Sequence, residues 1–430
     1  MDIINKIVDT KHSMNFKMRL IAPVLCIILI SLVLLNYSNI EKQDLFYKQL
    51  SWVVFGFFLI LLISFVKLDF IFKNSYKLYA TLIFLLCLTM LIGVEINYSK
   101  RWISLGFITF QPSEIGKMLF VFAIAKFLSN RSHRKNGYKV IFSTFFLMSI
   151  VFLLVLQQPD LGTSLVYFFC VFPMMYWSGL KSIDILLSIS PIISFLISFL
   201  YEFILKTDVL ELDEIYSVIL FSLWILIVGY LTYIRFKGKF SSYIYVFVIG
   251  INLLITTFTS IFLEKLMYSY WFNRILGFLD PFAYRNDFAY QINSSYDAIG
   301  SGGLLGKGLG NGMLTEFKMM PIYESDFIVS ALAEQFGFIG ICLLLSILIY
   351  FFYWYLTYIE KCANKFERLV LVGFGSIWFF HSFVNLCIVS GIFPVTGLPF
   401  PFLSYGGTYF LTNCIMLGIA NKIISLHISN

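Results

Sequence analysis

Long apolar runs recur along the whole chain and constrain its fold more than any other feature of the sequence. A helix that crosses the hydrocarbon core of a membrane needs about 20 mostly apolar residues. The runs lack the alternation typical of strands, and an open sheet cannot lie in lipid. The sequence therefore predicts an all-α, polytopic membrane protein with about 12 transmembrane helices, at residues 18–36, 50–66, 76–95, 113–129, 140–157, 161–179, 184–204, 217–235, 241–263, 327–356, 366–389 and 403–425.

Composition supports the same conclusion. Of the 430 residues, 59% are hydrophobic and only 13% are charged, whereas a soluble domain carries roughly a quarter charged residues. Lipid must therefore be the solvent for much of the surface. We interpret the first run, from Ile21 to Leu35, as a membrane span and not as a cleaved signal peptide, because similar runs follow it. The seven Cys lie outside the segments predicted to be external, so we expect no disulfide framework.

Basic residues predict the orientation of the spans, because Lys and Arg are enriched in cytoplasmic loops. Here they occur in the N-terminal segment and in every second connection, and both termini are therefore predicted to be cytoplasmic. The formal charge of +7 follows from this topology. Nucleic-acid binding is not indicated, because the charges are scattered over short loops. The basic residues include Lys6, Lys11, Lys17, Arg19, Lys67, Lys77, Arg131, Arg134, Lys135, Lys139, Lys181, Arg235, Lys237, Lys239, Lys361, Lys365 and Arg368, and the intervening acidic ones include Asp208, Glu211, Asp213 and Glu214.

The predicted spans divide the chain into consecutive segments. Nearly all the polar sequence falls in four external segments, the last of which continues to Gly407. This clustering played no part in orienting the helices, and it predicts a single external site assembled from four loops. The segments are a cytoplasmic N-terminus (1–17), nine helices (18–263) with external loops at 96–112 and 157–163, a large extracytoplasmic loop (264–326), three helices (327–425) with an external loop at 390–403, and a cytoplasmic C-terminus (426–430).

Two external segments have unusual backbone chemistry. The run Gly300–Gly312 is rich in glycine, which lets a backbone approach a ligand and lets its amides hold an anionic oxygen. A flexible surface loop is the alternative interpretation, and the run is not a Walker loop because no Gly-Lys-Ser/Thr follows a strand. The run Pro394–Pro401 cannot form regular helix and is too apolar for a solvated loop. It predicts a re-entrant or interfacial segment buried against protein.

Ionisable residues at membrane depth are costly and usually functional. Glu114 and Lys117 are three residues apart, so they share a helix face and are expected to pair. Asp160 and Asp326 each begin a predicted helix, where a carboxylate serves either as a helix cap or as a site residue. Glu334 lies two turns into the tenth span, as a buried pair or a lining residue. The residues alone indicate an external site of undefined chemistry.

Five motifs, in order along the chain, resemble those of the SEDS family (shape, elongation, division and sporulation proteins), which includes RodA and FtsW. The match extends from Arg101 to Gly407. The motifs are Arg-Trp-Ile-Ser-Leu-Gly at 101–106 with Gln-Pro-Ser-Glu at 111–114, Gln-Pro-Asp-Leu-Gly-Thr at 158–163, Ala-Ile-Gly-Ser-Gly-Gly-Leu-Leu-Gly-Lys-Gly at 298–308, Asp-Phe-Ile at 326–328 before Ala-Glu-Gln-Phe-Gly-Phe-Ile-Gly at 333–340, and Pro-Val-Thr-Gly-Leu-Pro-Phe-Pro-Phe-Leu-Ser-Tyr-Gly-Gly at 394–407.

The resemblance implies a glycosyltransferase that polymerises lipid II into peptidoglycan on the outer face of the bacterial cytoplasmic membrane, with undecaprenyl diphosphate as leaving group. It also implies a core of ten spans, so that residues 205–264 would add a helix pair. Asp326 matches the family's catalytic carboxylate. Candidate substrate- and diphosphate-binding residues are Arg101, Trp102, Glu114, Lys117, Asp160, Arg274, Lys307 and Ser404, and candidate loop-shaping residues are Gly300, Gly302, Gly303, Gly306, Pro394, Gly397, Gly406 and Gly407.

The resemblance further implies a class B penicillin-binding transpeptidase as partner. The sequence requires no cofactor; Mg²⁺ or Mn²⁺ bridging diphosphate oxygens would suit the chemistry, but no ligand cluster assigns a metal. Departures from the family pattern include Tyr409, which follows the last motif where small residues are usual, and His381, which we interpret as a helix-packing residue.

Three other functions remain open at this point: a lipid II flippase or transporter, another polytopic transferase such as a polysaccharide ligase, and a non-catalytic activator of a partner synthase. A transporter is expected to carry its polar residues at the midplane between inverted repeats. Here they gather on one face and no repeat is visible. Within the family, Ala333-Glu334 and Phe336-Gly337-Phe338 favour an elongation role like that of RodA over a division role like that of FtsW.

Overall fold

The structure is a computed structural model. It describes residues 17–37, 43–96, 99–104, 106, 109–130, 137–207, 214–236, 241–266, 270–312 and 323–427. Many residues that predict the orientation lie outside these ranges, namely Lys6, Lys11, Arg131, Arg134, Lys135, Asp208, Glu211, Asp213, Lys237 and Lys239. The same holds for most of the predicted N-terminal segment, for part of the predicted loops 96–112 and 264–326, and for residues 428–430.

The chain forms two compact units. The first comprises Met1–Arg131, Ser143–Ser178 and Gln291–Asn430, and the second comprises Ser132–Phe142 and Gly179–Tyr290. The elements of the described residues are α1 (Met18–Asn36), α2 (Gln43–Ile63), α3 (Leu68–Ile92), β1 (Val94–Ile96), β2 (Ser99–Ser104), β3 (Thr109–Phe110), α4 (Pro112–Ser129), α5 (Gly137–Gln157), α6 (Leu161–Trp177), α7 (Ser182–Thr207), α8 (Glu214–Phe236), α9 (Ser241–Leu266), α10 (Tyr270–Leu279), α11 (Tyr290–Gly302), α12 (Ile328–Lys361), α13 (Lys365–Val389) and α14 (Gly407–His427).

Each predicted span overlaps one of these helices, which confirms the helical membrane fold. Nine helices in the described part of the chain are long and apolar enough to cross a membrane. Of the other predicted spans, α6 has only 17 residues, and α4 carries Glu114, Lys117 and Lys126. Boundaries differ mainly where polar residues extend or end a helix: α2 begins at Gln43 instead of residue 50, and α14 begins at Gly407 instead of residue 403.

Helix α4 is central to the first unit. It packs against α3, α6, α13 and α14, and most of its side chains are buried. A helix that is apolar on all sides is expected to be surrounded by protein. This position explains how α4 can carry charged residues, since neighbouring helices provide polar partners that lipid cannot.

A small antiparallel sheet connects α3 to α4, with strand order β1-β2-β3. Val94 pairs with Trp102, and Ile103 pairs with Phe110. The sequence predicts only a loop over 96–112, because such short strands do not show a clear alternating pattern. The sheet fixes Arg101 and Trp102 on β2 at the start of α4.

Helix α12 is broken at Gly337, where φ is +65° and ψ is −161°. The glycine-rich segment after α11 pairs with the broken backbone: the amides of Lys307 and Gly308 donate to the carbonyls of Glu334 and Gln335. A side chain at Gly306 would clash with the carbonyl of Gln335. The described part of the glycine-rich segment is therefore packed against α12, and the interpretation as a flexible loop is wrong.

The predicted extracytoplasmic loop 264–326 is largely helical where it is described. It contains the end of α9, all of α10 and α11, and the turn that leads to α12. The sequence places Glu334 two turns into a continuous span. Because α12 is broken at Gly337, Glu334 lies instead in a short helical segment before the break. The 24 residues from Phe338 to Lys361 would extend about 36 Å, so they suffice to cross the roughly 30 Å hydrocarbon core on their own.

The second unit is built around α7, α8 and α9, which pack against one another. Neutral polar side chains join them: Ser194 Oγ donates to Asn252 Oδ1 at 2.6 Å, and Trp224 Nε1 donates to Ser194 Oγ at 2.9 Å. Arg235 forms an ion pair with Asp184. Helices α8 and α9 are the pair predicted within 205–264, and this network accounts for their tight association with α7.

Candidate functional site

Asp326 lies in the turn that precedes α12 and is partly exposed. The N-cap residue of α12 is Phe327, which makes no side-chain cap, and Asp326 lies one residue before the N-cap position. Ser325 Oγ donates to Asp326 Oδ1 at 2.7 Å. Asn385 Nδ2 donates both to the carbonyl of Asp326 and to that of Leu398, each at 2.8 Å. Asn385 therefore fixes the backbone of Asp326 against the run Pro394–Pro401, called the proline-rich segment below.

The proline-rich segment is non-helical and mostly buried, as the sequence predicts for a segment packed against protein. Gly397 has a φ of +73°, and an added Cβ would lie 3.5 Å from Asp326 Oδ2. The absence of a side chain at Gly397 keeps the approach to this carboxylate open. Pro394, another predicted loop-shaping residue, is partly exposed in the same segment.

Ser404 anchors the end of the proline-rich segment. Its hydroxyl accepts from the amide of Phe400 at 2.8 Å and donates to the carbonyl of Ser325. The amide of Tyr405 donates to the carbonyl of Glu324 at 2.9 Å. Ser404 thus supports the turn that carries Asp326, which makes it a positioning residue in this structure.

Asp160 is the N-cap of α6, with Oδ1 accepting from the amide of Thr163 at 3.1 Å. It also binds two residues of the first motif: Gln111 Nε2 donates to Oδ2 at 3.1 Å, and Arg101 Nη1 lies 3.7 Å from Oδ1. Arg101 Nε donates to the carbonyl of Gln158 at 3.1 Å. Asp160 is therefore a helix cap that also anchors Arg101, and its role as a substrate-binding residue stays a prediction.

The start of α6 packs directly on the proline-rich segment. A Cβ at Gly162 would lie 2.6 Å from the carbonyl of Thr396 and 3.0 Å from Leu398 Cγ. Gly397 lies between those two residues and adjoins Asp326. The motifs at 101–114, 158–163, 326–328 and 394–407 therefore meet in one place, as the sequence predicts.

A buried polar network lies beneath this site. Lys117 Nζ is 2.7 Å from Glu114 Oε2, as predicted, and both side chains are almost fully buried. His381 Nε2 is 3.0 Å from Lys117 Nζ, and Nδ1 is 3.1 Å from the carbonyl of Pro399. An ammonium can only donate and a carbonyl can only accept. With Lys117 as donor, these two contacts match the tautomer of His381 that carries its proton on Nδ1.

This role of His381 is not apparent from the sequence. Its only signal was an isolated histidine within a span, which is also typical of helix packing, and its partner Lys117 is 264 residues away. Tyr409 completes the network: its hydroxyl donates to the carbonyl of Pro399 at 3.0 Å, and its ring lies 5.3 Å from Lys117 Nζ.

Lys307 pairs with Glu334, with Nζ 3.0 Å from Oε1. The side chain of Glu334 is fully buried, while that of Lys307 is 26% exposed. Arg101 shows the same arrangement, since its side chain is 24% exposed and that of Asp160 is 5% exposed. Each buried carboxylate holds a cation that still reaches the solvent. Such cations can bind an anionic ligand without being free to move.

The structure also locates the remaining predicted residues. A Cβ at Gly407 would lie 2.7 Å from the ring of Trp52, so glycine is needed there, whereas Gly300 and Gly303 face open space and Gly406 has only an ordinary contact. Gly302 lies close to the backbone of Ala333. Trp102 is partly exposed on β2. Arg274 lies in α10 of the second unit.

Among the described residues, the one group of three side chains suited to hold a metal is Cys362, Glu367 and His427, which does not include Asp326. Mg²⁺ or Mn²⁺ at the candidate site therefore remains a prediction. What this site offers is a partly exposed carboxylate together with two anchored cations in the same unit.

The fold and site define a class of protein: a multi-pass helical membrane protein whose polar motifs converge at the ends of its helices. The model of the FtsW/RodA/SpoVE family, described as cell cycle protein, matches residues 12–211 and 217–427. The chain belongs to this family. The two matched ranges include most of residues 205–264, so the comparison does not mark α8 and α9 as an insertion, and their status as additions remains a prediction.

Relatives of both family branches match over most of their length. The chain is 30% identical over 388 residues to the probable peptidoglycan glycosyltransferase FtsW of Buchnera aphidicola subsp. Acyrthosiphon pisum, covering 87% of this chain and 80% of the relative. It is 28% identical over 389 residues to the peptidoglycan glycosyltransferase RodA of Treponema pallidum, covering 87% and 88%. A chain of a solved peptidoglycan synthase complex that coordinates polymerization and crosslinking aligns with a TM-score of 0.69 at 25% identity, covering 97% of this chain and all of that one.

Proposed function

We propose that this protein is a peptidoglycan glycosyltransferase that polymerises lipid II into glycan strands and releases undecaprenyl diphosphate. Two relatives at 28–30% identity carry the name peptidoglycan glycosyltransferase. The observation that carries the proposal is the position of Asp326, whose carboxylate is partly exposed and left accessible by Gly397.

Asp326 acts as general base in this proposal. Its carboxylate accepts the proton of the 4-hydroxyl group of an acceptor GlcNAc. The hydroxyl oxygen forms a bond to the anomeric carbon of a donor MurNAc, and the bond from that carbon to the diphosphate oxygen breaks. Ser325 and Asn385 orient Asp326 for this step, because they bind its side chain and its backbone respectively.

The leaving diphosphate needs positive charge and no proton, because it departs with the bonding electron pair. Arg101 and Lys307 can supply that charge from their exposed ends. Their buried partners, Asp160 and Glu334, hold them in place before substrate binds. Preorganised charge of this kind stabilises the transition state more than mobile charge does.

The site belongs, in this proposal, on the outer face of the bacterial cytoplasmic membrane, with both termini in the cytoplasm. Support comes from the alternating basic connections of the sequence. A class B penicillin-binding transpeptidase is the proposed partner, since the solved relative is part of a complex that combines polymerization with crosslinking. The chain thus would bind lipid II, surrounding membrane lipid and one transpeptidase.

Elongation is the proposed cellular role, because Ala333-Glu334 and Phe336-Gly337-Phe338 favour it in the sequence. Relatives named FtsW and RodA match about equally well, so the role needs its own test. Depletion of the protein should round the cells if it acts in elongation. Filamentation would indicate division instead.

Purified protein supplied with lipid II tests the proposed reaction. Wild type should make glycan chains, and Asp326→Asn should lower the rate by about 10²–10⁴-fold. Asp287→Asn is the matched control, because Asp287 is exposed within the same 264–326 stretch, and it should retain activity. Movement of lipid II across vesicles without chain formation would indicate the flippase. Chain formation only with an added synthase would indicate the activator.

A further inference from the structure

Three helix ends of the first unit meet near the end of α12, whereas Asp326 precedes the start of that helix. α12 ends at Lys361 and is followed by Cys362 as its C-cap. Asn364 is the N-cap of α13, so the chain reverses within a very short turn. The last turn of α14 contributes His427. Cys362 is 2% exposed.

A thiol, a carboxylate and an imidazole converge here. One ligand atom each from Cys362, Glu367 and His427 lies within 4.8 Å of the other two. His427 Nε2 is 2.5 Å from Glu367 Oε2. The side chains of Glu367 and His427 are 13% and 23% exposed, so the group is open to solvent on one side.

Asn364 holds two of the three ligand residues in position. Its Nδ2 donates to Glu367 Oε1 at 3.1 Å, which leaves Oε2 directed at His427. The thiol of Cys362 donates to the carbonyl of Asn364 at 3.7 Å. Secondary contacts that orient ligands in this way are characteristic of metal sites.

The local charge also suits a divalent cation. The C-terminal ends of α12 and α14 both present partial negative charge. A divalent metal bound by a thiolate, a carboxylate and a neutral imidazole has no net charge. Arg368, whose charge acts on the Cys362 thiol, is therefore tolerated beside it.

We propose that Cys362, Glu367 and His427 form a binding site for a divalent transition metal, with Zn²⁺ as the metal best matched to these ligands. Zn²⁺ prefers sulfur and imidazole nitrogen and accepts carboxylate oxygen, and three protein ligands plus water complete a tetrahedral site. Binding breaks the S–H bond, releases that proton to solvent and forms the S–Zn bond. The Glu367–His427 hydrogen bond opens by about 1 Å to admit the metal, given Zn–ligand distances of roughly 2.0–2.3 Å.

The simpler explanation is an ion pair between Glu367 and His427 alone. Each residue sits at the helix end that its charge favours, so such a pair needs no metal. That explanation does not account for the third ligand atom, the buried sulfur. The metal site also predicts a distinct consequence, since it would join Cys362 at the end of α12 to the Glu367–His427 pair that already connects α13 and α14.

Cobalt substitution tests the proposal on the purified full-length protein in detergent. Co²⁺ added to wild type should produce a sulfur-to-cobalt charge-transfer band, and Zn²⁺ should remove it by competition. Cys362→Ser should abolish the band and weaken Zn²⁺ binding by more than about 10-fold. Cys342→Ser is the matched control, because Cys342 is an exposed thiol within α12, the helix that Cys362 caps. This variant should leave the band unchanged.

Thermal unfolding guards against misfolded variants. Zn²⁺ should raise the unfolding temperature of wild type and of Cys342→Ser, and it should not raise that of His427→Gln. A band of equal intensity in Cys362→Ser, or no band in wild type at saturating Co²⁺, would overturn the proposal in favour of the ion pair. Neither readout depends on glycan synthesis, so the result is independent of the proposed function.

Discussion

The two units differ in which polar groups carry the family motifs. In the second unit, Ser194, Asn252 and Trp224 are neutral and satisfy one another between helices. The second unit also has one charged pair with a partly exposed cation, Arg235–Asp184. In the first unit, pairs of this kind, such as Arg101–Asp160, are formed by motif residues. A network that satisfies itself holds helices together. A pair with one exposed partner retains the capacity to bind something else.

Glu114→Gln should produce the largest loss of stability and thereby show that the first unit depends on a fully buried charged pair. It leaves the Lys117 ammonium buried without its carboxylate. Removing one partner of a buried pair costs about 3–5 kcal/mol, measurable as the free energy of unfolding in detergent. Glu114→Gln combined with Lys117→Met should recover most of that loss. A double variant as unstable as the single one would contradict the pairing.

Lys307→Gln tests whether an exposed cation of the first unit is used in catalysis. Gln still donates to Glu334, so the fold should persist while the charge is lost. Loss of one transition-state contact lowers turnover by about 10²–10³-fold, measurable as the rate of glycan synthesis. Lys100→Gln, which removes an exposed Lys from β2, should change the rate little. Equal rates for the two variants would remove Lys307 from the mechanism.

Gly397→Ala and Gly179→Ala form a matched pair between the units. Both glycines have positive φ, +73° and +99°, so each substitution should cost about 1–2 kcal/mol of stability. Only the Cβ at residue 397 would approach Asp326 Oδ2, since residue 179 faces open space. Glycan synthesis should therefore fall further in Gly397→Ala at equal folded fraction. Identical activities would show that Gly397 does not control access to Asp326.

Asn252→Ala should have the smallest effect and should be confined to stability. It removes the hydrogen bonds of Asn252 with Ser190 and Ser194. Polar contacts between membrane helices contribute about 0.6 kcal/mol on average, so the unfolding temperature should fall slightly with synthesis retained. Thr256→Ala is the control, because Thr256 is bonded only within its own helix. A large loss of activity in Asn252→Ala would show that the second unit has a catalytic role.

Much of the fold follows from the sequence because it depends on local composition. Every span predicted from an apolar run overlaps a helix. The positions of the motifs between these spans predict that the motifs meet in one place. What the sequence does not show depends on distant contacts. The break at Gly337 lies within an apolar run and is defined by amides of the glycine-rich segment. The link from His381 to Lys117 joins helices far apart in the chain.

Asp326 shows what the sequence can and cannot predict about the candidate site. A single Asp before a helix is most often a cap, yet the N-cap here is Phe327. The family motif predicts that Asp326 is a site residue, which its neighbours in sequence alone do not. Its contacts with Asn385 and Ser325 could not have been anticipated, because they come from a helix and a turn that the motif does not include.

The backbone pairing at the broken helix has a thermodynamic consequence for Asp326. The amides of Lys307 and Gly308, bonded to Glu334 and Gln335, close the intervening chain into a ring whose ends cannot drift apart. Closing a free loop of this length costs about 3 kcal/mol of entropy. Here that entropy is lost once, during folding, and not again at each round of substrate binding. Asp326 lies within this ring, so no loop-closure entropy needs to be lost when substrate binds next to its carboxylate.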